Sequence, residues 1–279
     1  SSPIICASIP LQRRFEMGKS MFDLTGKVVM ATGANSGIGL GFLLGCARQG
    51  ADVVVWARRE EQNLAALDQL KAEGAGRIHH EVVDVSDEAE VIRAFASTVT
   101  AMGRVDCVFA NAGFSERTPS FPDMSSETYH KLLAVNQHGA FYTLREASRH
   151  MRDRAQAADA GGSIVVCGSL SIFHGMQGME HYAAAKGALA AMVKGMAVEL
   201  GQYKVRVNML APGFIMTGMT GDPQVREQVI ARFSSITPLA RVGELDDIAG
   251  PAAYLASDAS QFHTGDILIV DGGRSVKSL

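Results

Sequence analysis

Two residues suited to proton transfer, Tyr182 and Lys186, stand four positions apart in the chain. On a helix this spacing places both side chains on one face, one turn apart. An ammonium next to a phenol favours the phenolate electrostatically, so the phenol becomes a better proton donor and acceptor. We therefore interpret the two residues as a candidate acid/base pair. Taken alone, the same spacing is more often found on an ordinary helix surface.

A glycine-rich run lies near the start of the chain, from Thr32 to Gly39. Its glycines follow a short apolar run and precede a candidate helix, so the backbone can approach a pyrophosphate and the helix N-terminus faces the negative charge. A plain structural turn is the alternative. The predicted dinucleotide site here comprises Gly33, Asn35, Ser36, Gly37, Ile38 and Gly39. A dinucleotide site together with a proton donor indicates hydride chemistry.

The elements that must position these residues alternate along the chain. Short apolar runs predict strands at 27–32, 52–56, 77–83, 105–110, 163–167, 205–210 and 267–270. Periodic or glycine-terminated stretches between them predict helices at 38–49, 60–73, 87–102, 125–154 and 182–201. This alternation predicts an α/β fold, a seven-stranded parallel sheet with helices on both faces. Right-handed crossovers make it a single doubly wound Rossmann-type domain.

Three further fragments follow predicted strands, at the edge where such sheets bind ligands. Asp84 and Val85 close the third strand, where a carboxylate can bind an adenine amino group. Glycine in the fragment after the fourth strand again permits close approach of the backbone. The remaining predicted cofactor-binding residues are Asn111, Ala112 and Gly113 after the fourth strand, and Pro212, Gly213, Ile215 and Thr217 after the sixth. Each fragment alone is about equally well explained as a turn.

With the glycine run, Asn-Ala-Gly, Tyr-x-x-x-Lys and Pro-Gly in this order, residues 24–273 resemble the short-chain dehydrogenase/reductase superfamily, in its oxidoreductase branch. The resemblance implies a catalytic tetrad of Asn136, Ser169, Tyr182 and Lys186, of which the last two also bind the cofactor. Ser169 lies at the family distance from Tyr182, and Ser171 is the nearby alternative. Gly168 departs from the family, which usually carries serine there.

The activity that the resemblance implies is interconversion of a ketone, or a 3-oxoacyl group, with a secondary alcohol, with Tyr182 as acid/base. A sugar or polyol dehydrogenase of the same family is the alternative, and a nucleotide-sensing binding protein is the non-enzymatic one. Residues 214–237 are expected to form an apolar lid, so the substrate should have an apolar part. The other residues expected to line the pocket are Phe114, His174, Met176 and Met179.

The end of the second predicted strand favours NADP(H) over NAD(H). An NAD-preferring site places an acid there to accept from the ribose 2′-hydroxyl, whereas this chain has Ala57 at that position. Arg58 follows, and a guanidinium suits a 2′-phosphate through bidentate hydrogen bonds. Ser36 weakens the prediction, because some NADP-dependent relatives carry a basic residue at that place.

The composition excludes several other classes of protein. A net charge of −3 gives no basic excess for nucleic acid, and no apolar run approaches the ~20 residues of a membrane span. Four scattered cysteines show neither disulfide nor metal-ligand spacing, so we expect no metal and a reduced, cytoplasmic protein.

The organisation of the whole chain follows from its ends and from the resemblance. Residues 1–21 are expected to be an N-terminal extension, native or left by cloning and partly disordered, because they lack the order of a signal peptide. Residues 22–279 then form the one dehydrogenase domain. The family implies a homotetramer that assembles through the long helices 125–154 and 182–201.

Overall fold

The computed structural model describes residues 20–217 and 223–277. The predictions for residues 1–19 of the extension and 218–222 of the lid lie outside these ranges. The strands within them are β1 (Val28–Thr32), β2 (Asp52–Ala57), β3 (Ile78–Val82), β4 (Cys107–Ala110), β5 (Gly162–Cys167), β6 (Val205–Pro212) and β7 (Ile267–Val270). In the described residues they form one parallel sheet in the order β3-β2-β1-β4-β5-β6-β7. The prediction of a seven-stranded parallel sheet is confirmed.

The helices lie on both faces of this sheet. They are α1 (Gly37–Ala47), α2 (Glu60–Ala72), α3 (Glu88–Met102), α4 (Ser126–Leu133), α5 (Ala140–Gln156), α6 (Glu180–Leu200), α7 (Pro223–Ile236) and α8 (Leu245–Ala256). One apolar core lies under α3, α5 and α6. The other lies under α1, α2 and α8. Because both faces are covered, the central strands are apolar without alternation, as the sequence indicates.

Helix α1 packs unusually closely against α8. A Cβ atom added at Gly41 would lie 3.0 Å from the Ile248 Cδ1 atom, and one at Gly45 would overlap the backbone of Ala249. Glycine weakens a helix by up to ~1 kcal/mol relative to alanine. Here the glycines allow two helices to approach more closely than any side chain would permit.

Two predicted elements differ from the observed ones. The helix predicted at 125–154 is two α-helices, α4 and α5, joined by a π-helical turn from Ala134 to Gly139. One extra residue in a turn leaves the polar and apolar pattern almost unchanged, so the pattern gives no warning of it. The lid predicted at 214–237 contains a helix, α7. The other predicted ends lie within two residues of the observed ends.

None of the helices in the described part of the chain combines the length and apolar character needed to span a bilayer. The same residues contain no group of three or more histidine, cysteine, aspartate or glutamate side chains placed to hold a metal ion.

Candidate active site

Lys186 is fixed between a helix and the end of a strand. It stands on the buried face of α6, only 4% exposed, and its Nζ atom donates to the carbonyl oxygen of Cys167, the last residue of β5, at 2.7 Å. The same Nζ atom lies 5.8 Å from the ring centroid of Tyr182, one turn earlier. The predicted juxtaposition of ammonium and phenol is therefore present, at the carboxyl edge of the sheet.

Ser169 follows β5 in extended backbone and caps a short 3₁₀ turn. Its Oγ atom accepts a hydrogen bond from the Ser171 N–H at 3.1 Å. That bond uses a lone pair and leaves the hydroxyl proton free to donate to another oxygen. The alternative, Ser171, has a buried Oγ atom without a partner.

The departure at Gly168 has a steric explanation. A Cβ atom added there would lie 2.6 Å from the Met209 Sδ atom on the neighbouring strand β6. The methionine side chain occupies the space that a serine at position 168 would need. The departure therefore reflects packing under the sheet edge and leaves Ser169 unaffected.

Asn136 lies in the π-helical turn and is 1% exposed. Its Oδ1 atom accepts from the Phe114 N–H at 3.1 Å, and its Nδ2 atom donates to the Phe114 carbonyl at 2.8 Å. A Cβ atom on Gly113 would lie 3.2 Å from the Asn136 Oδ1 atom. The amide thus fastens the π-helical turn to the chain that leaves β4, and glycine at 113 makes room for it.

The glycine run is packed against the segment after β4. Gly33 has φ +62°, and a Cβ atom there would lie 2.9 Å from the Ala112 Cα atom; a Cβ atom on Gly39 would lie 2.5 Å from the Asn111 Nδ2 atom. Asn111 Nδ2 also donates to the Thr32 carbonyl at 2.9 Å. The Thr32 hydroxyl accepts from the backbone N–H groups of Asn111 and Ala112. These contacts join two separately predicted fragments, the glycine run and the segment after β4, into one continuous surface.

The N-terminus of α1 has the properties of an anion site. Its cap residue, Ser36, makes no side-chain capping bond, and the first turn contains no acidic residue. The first backbone N–H groups of a helix lack partners within the helix, so they can donate to a phosphate. Gly37 has φ +58°, and a Cβ atom there would lie 3.4 Å from the Thr217 Cγ2 atom. We call the space between Gly37 and Thr217 at this helix end the cradle. Any side chain at position 37 would fill it, and its size and charge fit the pyrophosphate of a dinucleotide.

The chain that leaves β6 closes another side of the site. A Cβ atom on Gly213 would lie 2.7 Å from the Asp271 Cα atom, so the Pro212-Gly213 turn touches the chain after β7. Ile215 is 8% exposed and pairs with Gly243 as an isolated parallel bridge. These contacts fix the stretch from Pro212 to Ile215, and Thr217, two residues later, lies next to Gly37 of the glycine run.

The predicted adenine end contains Arg58, Asp84 and Val85. The Arg58 side chain is 74% exposed, and its Nη1 atom lies 4.0 Å from the Asp84 Oδ2 atom. Burial raises the pKa of Asp84, but hydrogen bonds from Ser86 and the charge of Arg58 outweigh it and hold that pKa below its usual range. Val85 is buried against Gly139 in the π-helical turn. The Arg58 guanidinium is exposed at this end, so it can bind a further anion besides Asp84.

Asn63 is a residue that the sequence analysis missed. It is fully buried in α2 and its Nδ2 atom donates to the carbonyls of Ala57 and Glu81. Its Oδ1 atom accepts from the Asn35 Nδ2 atom at 3.0 Å. It therefore ties the glycine run to the ends of β2 and β3. The sequence signal that could have identified Asn63 is its position among the apolar residues of the inner face of α2, where an amide needs buried partners.

The predicted pocket wall is only partly brought together. Phe114 and Tyr182 pack against one small apolar cluster that contains Leu132, Leu133 and Ala185. In the lid, the rings of Phe214 and Phe233 stack with centroids 3.9 Å apart. Met176 is 38% exposed, and His174 and Met179 are half-buried. Neither Met176 nor Met179 belongs to the cluster around Leu132.

Comparisons with known proteins cover nearly the whole chain. A family model described as Enoyl-(Acyl carrier protein) reductase matches residues 33–275. The L-rhamnose 1-dehydrogenase (NAD(P)(+)) of Azotobacter vinelandii is 36% identical over 90% of this chain and 97% of its own. The NADP-dependent (R)-specific alcohol dehydrogenase of Lentilactobacillus kefiri is also 36% identical, over 90% of this chain and 97% of its own. A crystal structure of a gluconate 5-dehydrogenase from Burkholderia cenocepacia with NADP and tartrate superposes with a TM-score of 0.84 at 31% identity, covering 92% of this chain and 98% of that one.

Proposed function

Because the chain belongs to the short-chain dehydrogenase/reductase superfamily, we propose that it is an NADP(H)-preferring enzyme whose catalytic tetrad is Asn136, Ser169, Tyr182 and Lys186. It is a nicotinamide-dependent oxidoreductase that interconverts a ketone and a secondary alcohol. The observation that carries the tetrad is the position of Lys186, whose Nζ atom is held 2.7 Å from the Cys167 carbonyl and 5.8 Å from the Tyr182 ring.

The cofactor fits the cradle formed by the glycine run, the N-terminus of α1 and Thr217, and when bound it supplies or accepts the hydride. The residues of the chain then handle the proton. In the reducing direction Tyr182 gives its phenolic proton to the carbonyl oxygen, and the Ser169 hydroxyl donates a hydrogen bond to the same oxygen. In the oxidising direction Tyr182 takes the alcohol proton back.

Lys186 and Asn136 support this proton transfer. The Lys186 ammonium is held in place by the Cys167 carbonyl, 5.8 Å from the Tyr182 ring centroid, where it can stabilise negative charge that develops on the phenolic oxygen. Asn136 keeps the π-helical turn against the backbone of Phe114. One donor and one acceptor position of its amide remain available for a water on the route from Lys186 to solvent.

The preference for NADP(H) rests on the end of β2. Ala57 there brings no acid that would repel a 2′-phosphate, and the largely exposed Arg58 follows it. Two of the similar proteins described above have NADP in their names or titles.

The substrate we favour is a ketone or secondary alcohol with an apolar part, because Phe114 packs beside Tyr182 and the lid contributes the stacked rings of Phe214 and Phe233. A sugar or polyol is the second candidate, and it is favoured by the similarity to an L-rhamnose 1-dehydrogenase.

We also propose that the enzyme is a cytoplasmic homotetramer. Buried reduced thiols at Cys46, Cys107 and Cys167 suit a reducing compartment. Large apolar side chains are exposed on α5, α6 and β7, namely Phe141, Val198 and Ile269, and unpaired apolar surface of this kind favours association.

Replacing Tyr182 with phenylalanine tests the proposed chemistry. We expect Tyr182→Phe to bind NADPH as the unchanged protein does and to lose about 10²–10⁴-fold in kcat, which is the usual contribution of general acid–base catalysis. Binding is measured by the fluorescence of NADPH, and kcat by its absorbance with a panel of ketones, thioesters and polyols. Tyr142→Phe, on α5, is the matched control. Turnover by Tyr182→Phe near that of the control would refute the tetrad, and no turnover by the unchanged protein would favour a nucleotide-sensing protein.

A further inference from the structure

The buried amide of Asn63 connects three separate elements beside the predicted cofactor site. Its Nδ2 atom donates to the carbonyl oxygen of Ala57, the last residue of β2, at 3.1 Å and to that of Glu81 in β3 at 3.2 Å. Its Oδ1 atom accepts from the Asn35 Nδ2 atom in the glycine run at 3.0 Å. Asn63 itself has no exposed surface, so whatever it contributes to the cofactor must pass through these partners.

The two carbonyl partners fix which way the Asn63 amide points. A backbone carbonyl only accepts hydrogen bonds, so the carbonyls of Ala57 and Glu81 require the nitrogen of Asn63 on their side. The oxygen is then the atom that meets Asn35. Because that oxygen only accepts, Asn35 has to present its own nitrogen to it. The orientation of both amides is thus set by the backbone of β2 and β3.

The oxygen of Asn35 consequently points away from Asn63. Asn35 is half-buried, and its Oδ1 atom lies 3.5 Å from the Ser36 Oγ atom, at the outer limit of a hydrogen bond. Ser36 is exposed. A carbonyl oxygen has two lone pairs, so the Asn35 oxygen keeps an acceptor position for a ligand that lies on the glycine run.

A dinucleotide in this site would bring its adenosine ribose to that oxygen. The pyrophosphate fits the N-terminus of α1, and the predicted partners of a 2′-phosphate and of adenine are Arg58 and Asp84, just after β2 and β3. The ribose belongs between these two ends. Asn35 is joined to the end of β2 by only two hydrogen bonds, through Asn63. On this side of the ribose Asn35 presents an acceptor, whereas Arg58 presents donors.

We propose that Asn63 is a positioning residue for cofactor choice. It holds the Asn35 oxygen towards the ribose 2′-position, where that oxygen accepts a hydrogen bond from the 2′-hydroxyl of NAD(H) and repels the 2′-phosphate of NADP(H). The inference rests on the proposed function and sets a bound to its cofactor preference. Arg58 favours the phosphate and Asn35 favours the hydroxyl, so the enzyme uses both cofactors and prefers NADP(H) only as far as Arg58 outweighs Asn35.

The test is the ratio of the Kd of NADH to the Kd of NADPH, obtained by titrating the fluorescence of each reduced cofactor at one ionic strength. Asn35→Ala removes the acceptor and should raise this ratio about 2- to 13-fold, the equivalent of 0.5–1.5 kcal/mol for one neutral hydrogen bond. Asn63→Leu should raise it as well, because the released Asn35 amide can turn its nitrogen towards the phosphate.

Asn63→Asp is the matched control for Asn63→Leu. Both variants lose the amide nitrogen that bonds Ala57 and Glu81, but a carboxyl group still accepts from the Asn35 nitrogen, so Asn63→Asp should keep the ratio of the unchanged enzyme. In the double variant, adding Asn63→Leu to Asn35→Ala should cause no further change in the ratio, because the residue through which Asn63 acts is already gone.

Three results would overturn the proposal. The first is an unchanged or lowered ratio in Asn35→Ala, which decides the matter even where the Asn63 variants do not fold. The second is an equal loss of affinity for both cofactors in Asn63→Leu, which would make Asn63 purely structural. The third is the same rise in Asn63→Asp as in Asn63→Leu, which would trace the effect to the strand ends. In each case, turnover with NADPH that depends on Tyr182 would leave the proposed function standing.

Discussion

At the scale of single residues, the candidate tetrad is positioned mainly by the backbone. Lys186 donates to the Cys167 carbonyl, Ser169 accepts from the Ser171 N–H, and Asn136 bonds both backbone groups of Phe114. The Cys167 carbonyl belongs to the last residue of β5, which the sheet ladder holds between β4 and β6. The position of the Lys186 ammonium therefore depends on the sheet, whereas Ser169 and Asn136 depend on the turn and the loop that they bond.

The cofactor preference can be reversed at two residues. Ala57→Asp places an acceptor for a ribose 2′-hydroxyl at the end of β2, and Arg58→Ile removes the guanidinium that would bind a 2′-phosphate. We expect the double variant to lower the ratio of kcat/KM for NADPH to that for NADH by about 10- to 150-fold, since a hydrogen bond to a charged group is worth about 1.5–3 kcal/mol.

The neighbouring arginine provides the control for this experiment. Arg59 is also exposed and caps α2, and Arg59→Ile should leave the ratio nearly unchanged. If the unmodified enzyme already has a higher kcat/KM with NADH than with NADPH, the interpretation of the strand end is wrong.

Residue spacing was enough to predict most residues of the candidate site. It did not predict the hydrogen bonds between side chains on different helices and loops. Tyr182 and Lys186 belong to one helix, so their relation follows from helix geometry. Asn63 and Asn35 are far apart in sequence and meet only because α2 packs across β2 and β3. Pairings of this kind depend on tertiary packing, which local spacing does not encode.

At the scale of elements, α5 carries a contact that should make stability depend on pH. The His150 Nε2 atom accepts a hydrogen bond from the Val105 N–H at 3.1 Å, so the ring must be neutral there. Burial, followed by the positive charge of Arg154, lowers the pKa of His150. In the unfolded chain a histidine titrates near pH 6.5, so between the two values the unfolded state binds more protons.

The sign of the effect follows from that difference. The stability that neutral His150 contributes is fully present above about pH 6.5 and is lost as the pH falls towards the lowered pKa of the folded state. We expect Tm to fall between pH 8.0 and pH 5.5, and to fall less in His150→Gln than in the exposed control His130→Gln. An equal fall in both variants would show that other groups cause it.

The elements themselves divide into those that local pattern predicts and those that it does not. Buried parallel strands such as β2 are continuous apolar runs bounded by turns, and these are visible in sequence. The π-helical turn at Ala134–Gly139 is not, because it adds one residue without changing the polar pattern. Helix α7 does show a helical pattern, since its apolar residues Val225, Val229 and Phe233 recur every four positions, but the sequence-based prediction describes the segment only as a lid.

At the scale of the whole molecule, we expect a homotetramer. Val198 is 86% exposed on α6, one of the two long helices through which we propose that the tetramer assembles. Light scattering at micromolar concentration should give four times the chain mass of 29.7 kDa. Val198→Lys should weaken assembly, because a two-fold axis brings each residue near its own copy or the same surface patch of the partner.

The control for assembly is Leu64→Lys, which changes an exposed apolar residue on α2, on the opposite face of the sheet from α6. It should remain tetrameric. A single species of about 30 kDa from the unmodified chain would exclude the tetramer.

The close packing of α1 against α8 has a consequence for how the chain is made. The glycine face of α1, at Gly41 and Gly45, is covered by Ile248 and Ala249, roughly 200 positions later in the chain. During synthesis the ribosome releases the nucleotide loop and its helix well before the residues that cover that helix.

A nascent chain that ends at residue 244 therefore carries every strand from β1 to β6 and every proposed catalytic residue, yet lacks the partner of its first helix. Arrested on the ribosome at that length, it should be digested by protease as fast as an unfolded chain. Extension until α8 and β7 clear the exit tunnel should confer resistance. Until α8 emerges, the glycine face of α1 would be exposed to chaperones.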